Sequence, residues 1–261
     1  MSGTTLPPVV VATSDHYRAA AEALAQHLGL ELVANDVSSV DLSNVLRIIV
    51  GDELAVLSGV GRQERRISVD FAHSSLQQRV KSGSKDLLVR ACGLHKAKHN
   101  IRRVMDATAG FGADAWVLAS QGVEVIAIEQ DVLVTAMLEN ALKRAQRLGL
   151  EGAQKLTIFW GDSVLMQRQE PVDIVYLDPM FSGGRRKAAS SKSMSFLQDW
   201  LAHRYSQQAH SALFDWACKT ASSRVVVKRG IKATPLSAYA PTFQIKGKTH
   251  RFDVYQLAGD S

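Results

Sequence analysis

Residues 104–131, VMDATAGFGADAWVLASQGVEVIAIEQD, constrain what this chain can fold into more than any other stretch. A short run at 103–105 leads into Asp106 and a loop of small residues at 107–112. A helical stretch over about 114–120 follows, and Gly122 breaks it. A β-branched run at 123–128 then ends in an acid, Glu129. Strand, glycine loop, helix, strand and terminal acid is the order of a nucleotide-type cofactor site in an open α/β sheet. Gly110 and Gly112 let the backbone turn sharply and approach a ligand closely. A carboxylate at the tip of the second strand can accept hydrogen bonds from a ribose diol. A strand–turn–helix with no ligand is the competing reading.

The loop is not the dinucleotide fingerprint G-x-G-x-x-G, because Ala115 stands at the third glycine position. Asp106 would repel a pyrophosphate, whereas it suits the sulfonium and amine of S-adenosylmethionine. Two further strands repeat the pattern. Residues 155–160 run into Gly161-Asp162-Ser163, and residues 172–177 run into Asp178-Pro179-Met180-Phe181. Asp162 is placed to reach an adenine amine or to cap the following helix, and the two roles are compatible. Four strand ends carry Asp106, Glu129, Asp162 and Asp178 on the carboxyl edge, where ligands bind in open α/β sheets.

At 261 residues the chain suits one large domain and a smaller one. No apolar run approaches the ~20 residues of a membrane span, and the N-terminus lacks the basic and apolar regions of a signal peptide. A cytoplasmic protein is expected. Cys92 and Cys218 have neither disulfide-framework nor metal spacing, so core packing is expected of both and no metal is expected. The net charge of +6 permits a polyanionic partner without demanding one.

The order of elements predicts a small α+β domain over 1–70, a basic linker and helix over 71–103, and the large α/β domain over 104–261. In the first, strands are expected at 9–11, 46–50, 54–57 and 67–71, with a helix from Ser14-Asp15 to about Leu28 stopped by Gly29. The linker is polar and basic at 77–83, and Ser84 is expected to cap a helix over 85–92. A long amphipathic helix is expected at 132–148 and another at 206–220, with a fifth strand at 225–227. Strands at 242–245 and 252–257 make a hairpin, so a parallel sheet ends in an antiparallel pair. Cations collect at Arg79, at Arg185, Arg186 and Lys187 in the unpatterned segment 182–194, and at Lys228 and Arg229 after the fifth strand. Contact with an RNA backbone and solvated loops are the two readings of that charge.

Asp178-Pro179-Met180-Phe181 suits methyl transfer to an exocyclic amine. The amine lone pair is delocalised into its ring, and a carboxylate acceptor draws the N–H groups out of that conjugation. Proline fixes φ and removes a competing donor, and an aromatic residue stacks on a base turned out of its helix. Asp178, Pro179, Met180 and Phe181 are therefore the candidate catalytic residues. The tetrapeptide resembles the Asp/Asn-Pro-Pro-Tyr/Phe motif of amino-methyltransferases, with Met180 in place of the second proline. Together with DATAGFGADAWVLASQG, VYLDPMF, VVVKRG and HRFDVY, the chain from about Val69 to Leu257 is similar to the RsmJ family, the small-subunit ribosomal RNA guanine-N2 methyltransferases of bacteria. The resemblance implies a Rossmann-like S-adenosylmethionine-dependent fold with S-adenosylhomocysteine as product. It also implies cofactor contacts at Ala113-Asp114, Glu129-Gln130, Asp162-Ser163 and Asp178, beside Asp106, Gly110 and Gly112 of the loop. Ribosomal RNA or the small ribosomal subunit is the implied partner. Spacing alone reaches only a methyltransferase acting on an amine, so DNA adenine, a protein side chain and a non-catalytic RNA-binding module stay open.

Overall fold

The computed structural model describes residues 7–33, 45–58, 64–95, 100–166, 172–179, 200 and 210–257. The first sheet has five strands: β1 (Val9–Ala12), β2 (Glu31–Val33), β3 (Arg47–Val50), β4 (Ala55–Ser58) and β5 (Arg65–Ser68), in the order β2-β1-β3-β4-β5. Helix α1 (Arg18–Leu28) crosses from β1 to the parallel β2 and ends on Gly29 in the left-handed region at φ 65°. Strand β2 was not expected from the sequence. Strand β5 also starts two residues earlier than the apolar run suggests, because its pairing with β4 begins at Arg65.

The basic stretch holds more structure than its polarity suggests. Helix α2 (Ser74–Lys81) lies where a linker was expected, capped by the His73 ring accepting from Ser75 N–H. The next helix, α3 (Leu87–Ala91), begins later than expected. Asp86, not Ser84, caps it by accepting from Leu88 and Val89 N–H, as a short carboxylate does at a helix start.

The second sheet has seven strands: β6 (Arg103–Asp106), β7 (Glu124–Glu129), β8 (Leu156–Trp160), β9 (Val172–Leu177), β10 (Ala221–Gly230), β11 (Phe243–Lys246) and β12 (His250–Gln256). Their order is β11-β12-β10-β9-β6-β7-β8. The five strands from β10 to β8 run parallel, and β11–β12 is the expected antiparallel hairpin. Helices α4 (Ala113–Ala119) and α5 (Val132–Arg147) cover one face, and α6 (His210–Thr220) packs on β9 and β10 from the other. From β6 the chain builds outward through β7 and β8, then returns to place β9 on the opposite side of β6. That reversal makes the β6/β9 gap the switch point where open α/β sheets bind ligands.

The sheets are not separate bodies. Val10, Ile48 and Val56 of the first share a buried cluster with Leu133, Met137, Leu138 and Ala141 of α5. Asn140 of α5 donates to Asp52 O at 2.9 Å and accepts from Leu54 N–H at 3.0 Å. Arg144 reaches the Val69 carbonyl.

Candidate active site

The register of the parallel strands brings the acids together. Asp106 ends β6, Glu129 ends β7, Asp178 follows β9 directly, and Asp162 lies two residues beyond β8. In space the order along one edge is Asp178, Asp106, Glu129, Asp162.

Thr108 joins the first two. Its N–H donates to Asp106 Oδ1 at 3.1 Å, and its hydroxyl oxygen accepts from Asp178 N–H at 2.6 Å. Asp106 is wholly buried, and its Oδ2 has no protein partner among the described residues. Burial pushes this carboxyl well above the usual range, aided by the nearby charges of Asp114 and Asp178. An unpartnered buried acceptor at the switch point is what a cationic ligand would satisfy.

Glu129 is similarly buried, and burial raises it to about 7. Its Oε2 accepts from Gly110 N–H at 2.9 Å and its Oε1 from Asp131 N–H at 2.8 Å. The Gln130 main chain also bonds this carboxyl, and a carboxylate's roughly four acceptor sites leave capacity for a donor from outside. Gly110 at φ 53° and Gly112 at φ 71° require the left-handed region. Gly112 is needed for packing as well. A Cβ there would lie 2.5 Å from Leu138 Cδ2.

The expected third pair is shared between roles. Asp162 accepts from Val164 N–H at 2.9 Å, which caps the turn after β8, while buried Ser163 donates to Ala107 O at 2.6 Å. Gln130 receives the exposed Trp160 indole on its carbonyl at 3.0 Å.

Asp114, an expected cofactor contact, has three protein donors. Arg79 Nη1 lies at 2.5 Å, Tyr176 Oη at 2.6 Å and Lys228 Nζ at 2.9 Å. Burial opposes its charge, but Lys228 and Arg79 outweigh that and hold its carboxyl well below the usual range. Lys228 continues to Asp178 Oδ2 at 2.8 Å, and Arg79 to Asp86 Oδ2 at 2.8 Å. Five charged side chains thus form the chain Asp86–Arg79–Asp114–Lys228–Asp178.

Three cations for which contact with an RNA backbone is expected have partners within the protein. Arg79 and Lys228 are each held between two carboxylates. Buried Arg229 donates through Nε and Nη2 to Thr234 O at 2.8 and 2.5 Å. The exposed lysines of this edge lie elsewhere. Lys232, Lys246 and Lys248 surround the β11–β12 turn and have no carboxylate partner among the described residues. Ile231 N–H donates to Thr249 O at 3.2 Å, which ties Lys232 to that turn. Pro179 is buried. Met180, Phe181, Arg185, Arg186 and Lys187 lie outside the described residues. Among the described residues no cluster of His, Cys, Asp or Glu is placed to hold a metal ion, and no helix is long and apolar enough to cross a membrane.

The sheet order, the switch point and the row of strand-end carboxylates define an S-adenosylmethionine-dependent methyltransferase fold. Residues 26–257 match the family described as "Putative SAM-dependent methyltransferase". The chain is 37% identical over 204 residues to ribosomal RNA small subunit methyltransferase J of Alkalilimnicola ehrlichii, covering 75% of each chain. It is 34% identical over 265 residues to the protein of the same name from Pseudomonas aeruginosa, covering 98% of this chain and 97% of the relative. A crystal structure of a SAM-dependent methyltransferase from Neisseria gonorrhoeae matches with a TM-score of 0.69 at 29% identity, covering 95% of both chains. The chain belongs to the ribosomal RNA small subunit methyltransferase J family.

Proposed function

We propose that the protein methylates the exocyclic N2 amine of one guanosine in small-subunit ribosomal RNA, in the cytoplasm. One observation carries the reading. Asp178, the acid of the Asp-Pro pair, stands across Thr108 from Asp106, and its side chain is still 36% exposed at the switch point. A carboxylate open on one side can accept from a base amine. The name that the relatives share supports the substrate class, and the exposed lysines around the hairpin turn supply charge for a phosphate backbone.

In this reading S-adenosylmethionine supplies an electrophilic methyl group on a sulfonium. Asp106 answers the positive end of the cofactor, and the Gly110–Gly112 loop lies along it. Ala113 and Asp114 open the helix behind that loop, with Asp114 acting through the residues it holds. Glu129 accepts from the ribose diol beside Gln130, and Asp162 with Ser163 shapes the adenine end. Asp178 orients the substrate amine and Pro179 fixes the turn that follows it. Much of the rate then comes from alignment.

The test incubates the protein with labelled S-adenosylmethionine and small subunits lacking this modification, then identifies the labelled nucleoside after digestion. N2-methylguanosine is expected. Label in another base would refute the guanine assignment, and label in DNA or protein alone would refute the RNA substrate. Cofactor binding without any transfer would favour a non-catalytic RNA-binding module.

A further inference from the structure

We propose that Lys228 is a positioning residue for Asp178: its ammonium holds one carboxylate oxygen and leaves the other facing the substrate amine. The inference rests on the amine methylation proposed above and gives a purpose to a lysine that local sequence reads as a surface cation.

The placement is set by register. The β9–β10 pairing that sets Val227 beside Leu177 carries Lys228 to the side of Asp178. Lys228 Nζ lies 2.8 Å from Asp178 Oδ2 and 2.9 Å from Asp114 Oδ2, so one ammonium bridges two carboxylates. The inner carboxylate is itself fixed by Tyr176 at 2.6 Å and Arg79 at 2.5 Å, and Arg79 is fixed by Asp86 at 2.8 Å. Side-chain exposure rises along the row, from 10% at Asp114 through 26% at Lys228 to 36% at Asp178. The ammonium is thus anchored from the protein interior and reaches out to the most exposed of the three. The main chain of Asp178 is held independently by Thr108. An orienting carboxylate needs both restraints, because small displacements of an aligned group lower rates steeply.

Lys228 also bears on the charge state of Asp178. The groups facing that carboxyl are Lys228 and Arg229 from β10, Asp114 from α4, Asp106 from β6, Tyr176 from β9 and His250 from β12. Burial raises the Asp178 carboxyl and Lys228 is the strongest influence lowering it, with Asp114 opposing. Without Lys228, the two aspartates face each other with no shared cation, so Asp178 takes up a proton at higher pH. A protonated carboxyl is the poorer acceptor for an amine N–H.

The experiment compares the wild type, Lys228→Met and Lys228→Arg on small ribosomal subunits across pH 5.5–9. It reads kcat, KM for RNA and S-adenosylhomocysteine affinity, with carbon-13 NMR titration of the Asp178 carboxyl alongside. For Lys228→Met, kcat should fall about tenfold or more at pH 7, with RNA KM and cofactor affinity changed less than about threefold. The acid limb of its kcat profile and the Asp178 titration should both move up by at least about one pH unit. Lys228→Arg, which keeps a cation between the carboxylates, should return both to within roughly half a unit of wild type. A raised RNA KM with kcat and profile intact would make Lys228 a phosphate contact and overturn the proposal. An unmoved titration in Lys228→Met, or a shifted one in Lys228→Arg, would overturn it equally. Should Lys228→Met not fold, Lys228→Arg and the NMR titration decide the question. The titration needs no turnover, so a protein that fails to methylate guanosine would refute the proposed function without obscuring the Lys228 result.

Discussion

Glu129 links the fold to a measurable pH dependence. Burial raises its carboxyl from the ordinary 4.5 to about 7. Ionising it in the folded protein therefore costs about 3 kcal/mol more than in the unfolded chain. A raised carboxyl means that the folded state holds the extra proton. This contribution to stability is thus present below about pH 4.5 and is lost as pH rises through about 7. On the proposed role of Glu129, cofactor affinity runs the other way, because the ionised form is the better acceptor for a ribose diol. Lowering the pH from 8 to 6 leaves roughly one molecule in ten ionised, so affinity for S-adenosylhomocysteine should fall about tenfold, or ~1.4 kcal/mol. Calorimetric titration at half-unit pH steps reads this directly. In Glu129→Gln the slope should vanish and binding should weaken at pH 8, because the amide sets an N–H against the main-chain donors of Gly110 or Asp131. A flat wild-type profile, or the same slope in Glu129→Gln, would refute the argument.

Three other outcomes follow from the same geometry. Asp178→Ala should abolish turnover at saturating cofactor while S-adenosylhomocysteine binding changes by less than about fivefold; wild-type turnover would remove Asp178 from the catalytic role. Asp114→Asn leaves Arg79 and Lys228 one carboxylate short. Since Asp86 and Asp178 remain, the cost should be near the low end for a broken buried pair, about 3 kcal/mol. That corresponds to a Tm lower by roughly 6–12 °C in thermal melts read by circular dichroism. Replacing Lys232, Lys246 and Lys248 together by Ala should raise RNA KM and reduce the log–log salt dependence by roughly one unit per lost phosphate contact, leaving cofactor affinity unchanged.

The strands and helices of the larger sheet were legible because their signals are local, except that β10 runs over Ala221–Gly230 where only 225–227 was expected. Alternating or continuous apolar runs, left-handed glycines and terminal acids all lie within a few residues of what they mark. Strand β2 is only three residues long and partly exposed, too short for periodicity to declare. Helix α2 presents few apolar residues and packs through Leu76 and Val80, so composition disguised it as a linker. The acids of the site were visible at the strand ends, but their partners were not. Arg79 is 35 positions and Lys228 is 114 positions from the Asp114 they share, and no local pattern reports pairing over such separations. Tyr176 was missed for a related reason. In a run of buried aliphatics it reads as core, although a hydroxyl two residues before a strand-end acid was the available signal for its bond to Asp114.

Helix α5 has a consequence for how the protein melts and how its parts can be exchanged. The helix is gripped by the smaller sheet at Asn140 and Arg144 and by the larger one along its apolar face. Its N-cap, Asp131, directly follows the Glu129-Gln130 pair and receives the Trp200 indole N–H at 3.0 Å. Loosening the smaller sheet therefore uncovers a flank of the helix that begins beside Glu129. The smaller sheet acts as a buttress, and the two should denature in a single cooperative transition. A chain cut before residue 71 would lose the backing of the edge that carries its strand-end acids, so grafting a different N-terminal module requires matching the face of α5 and not merely the junction.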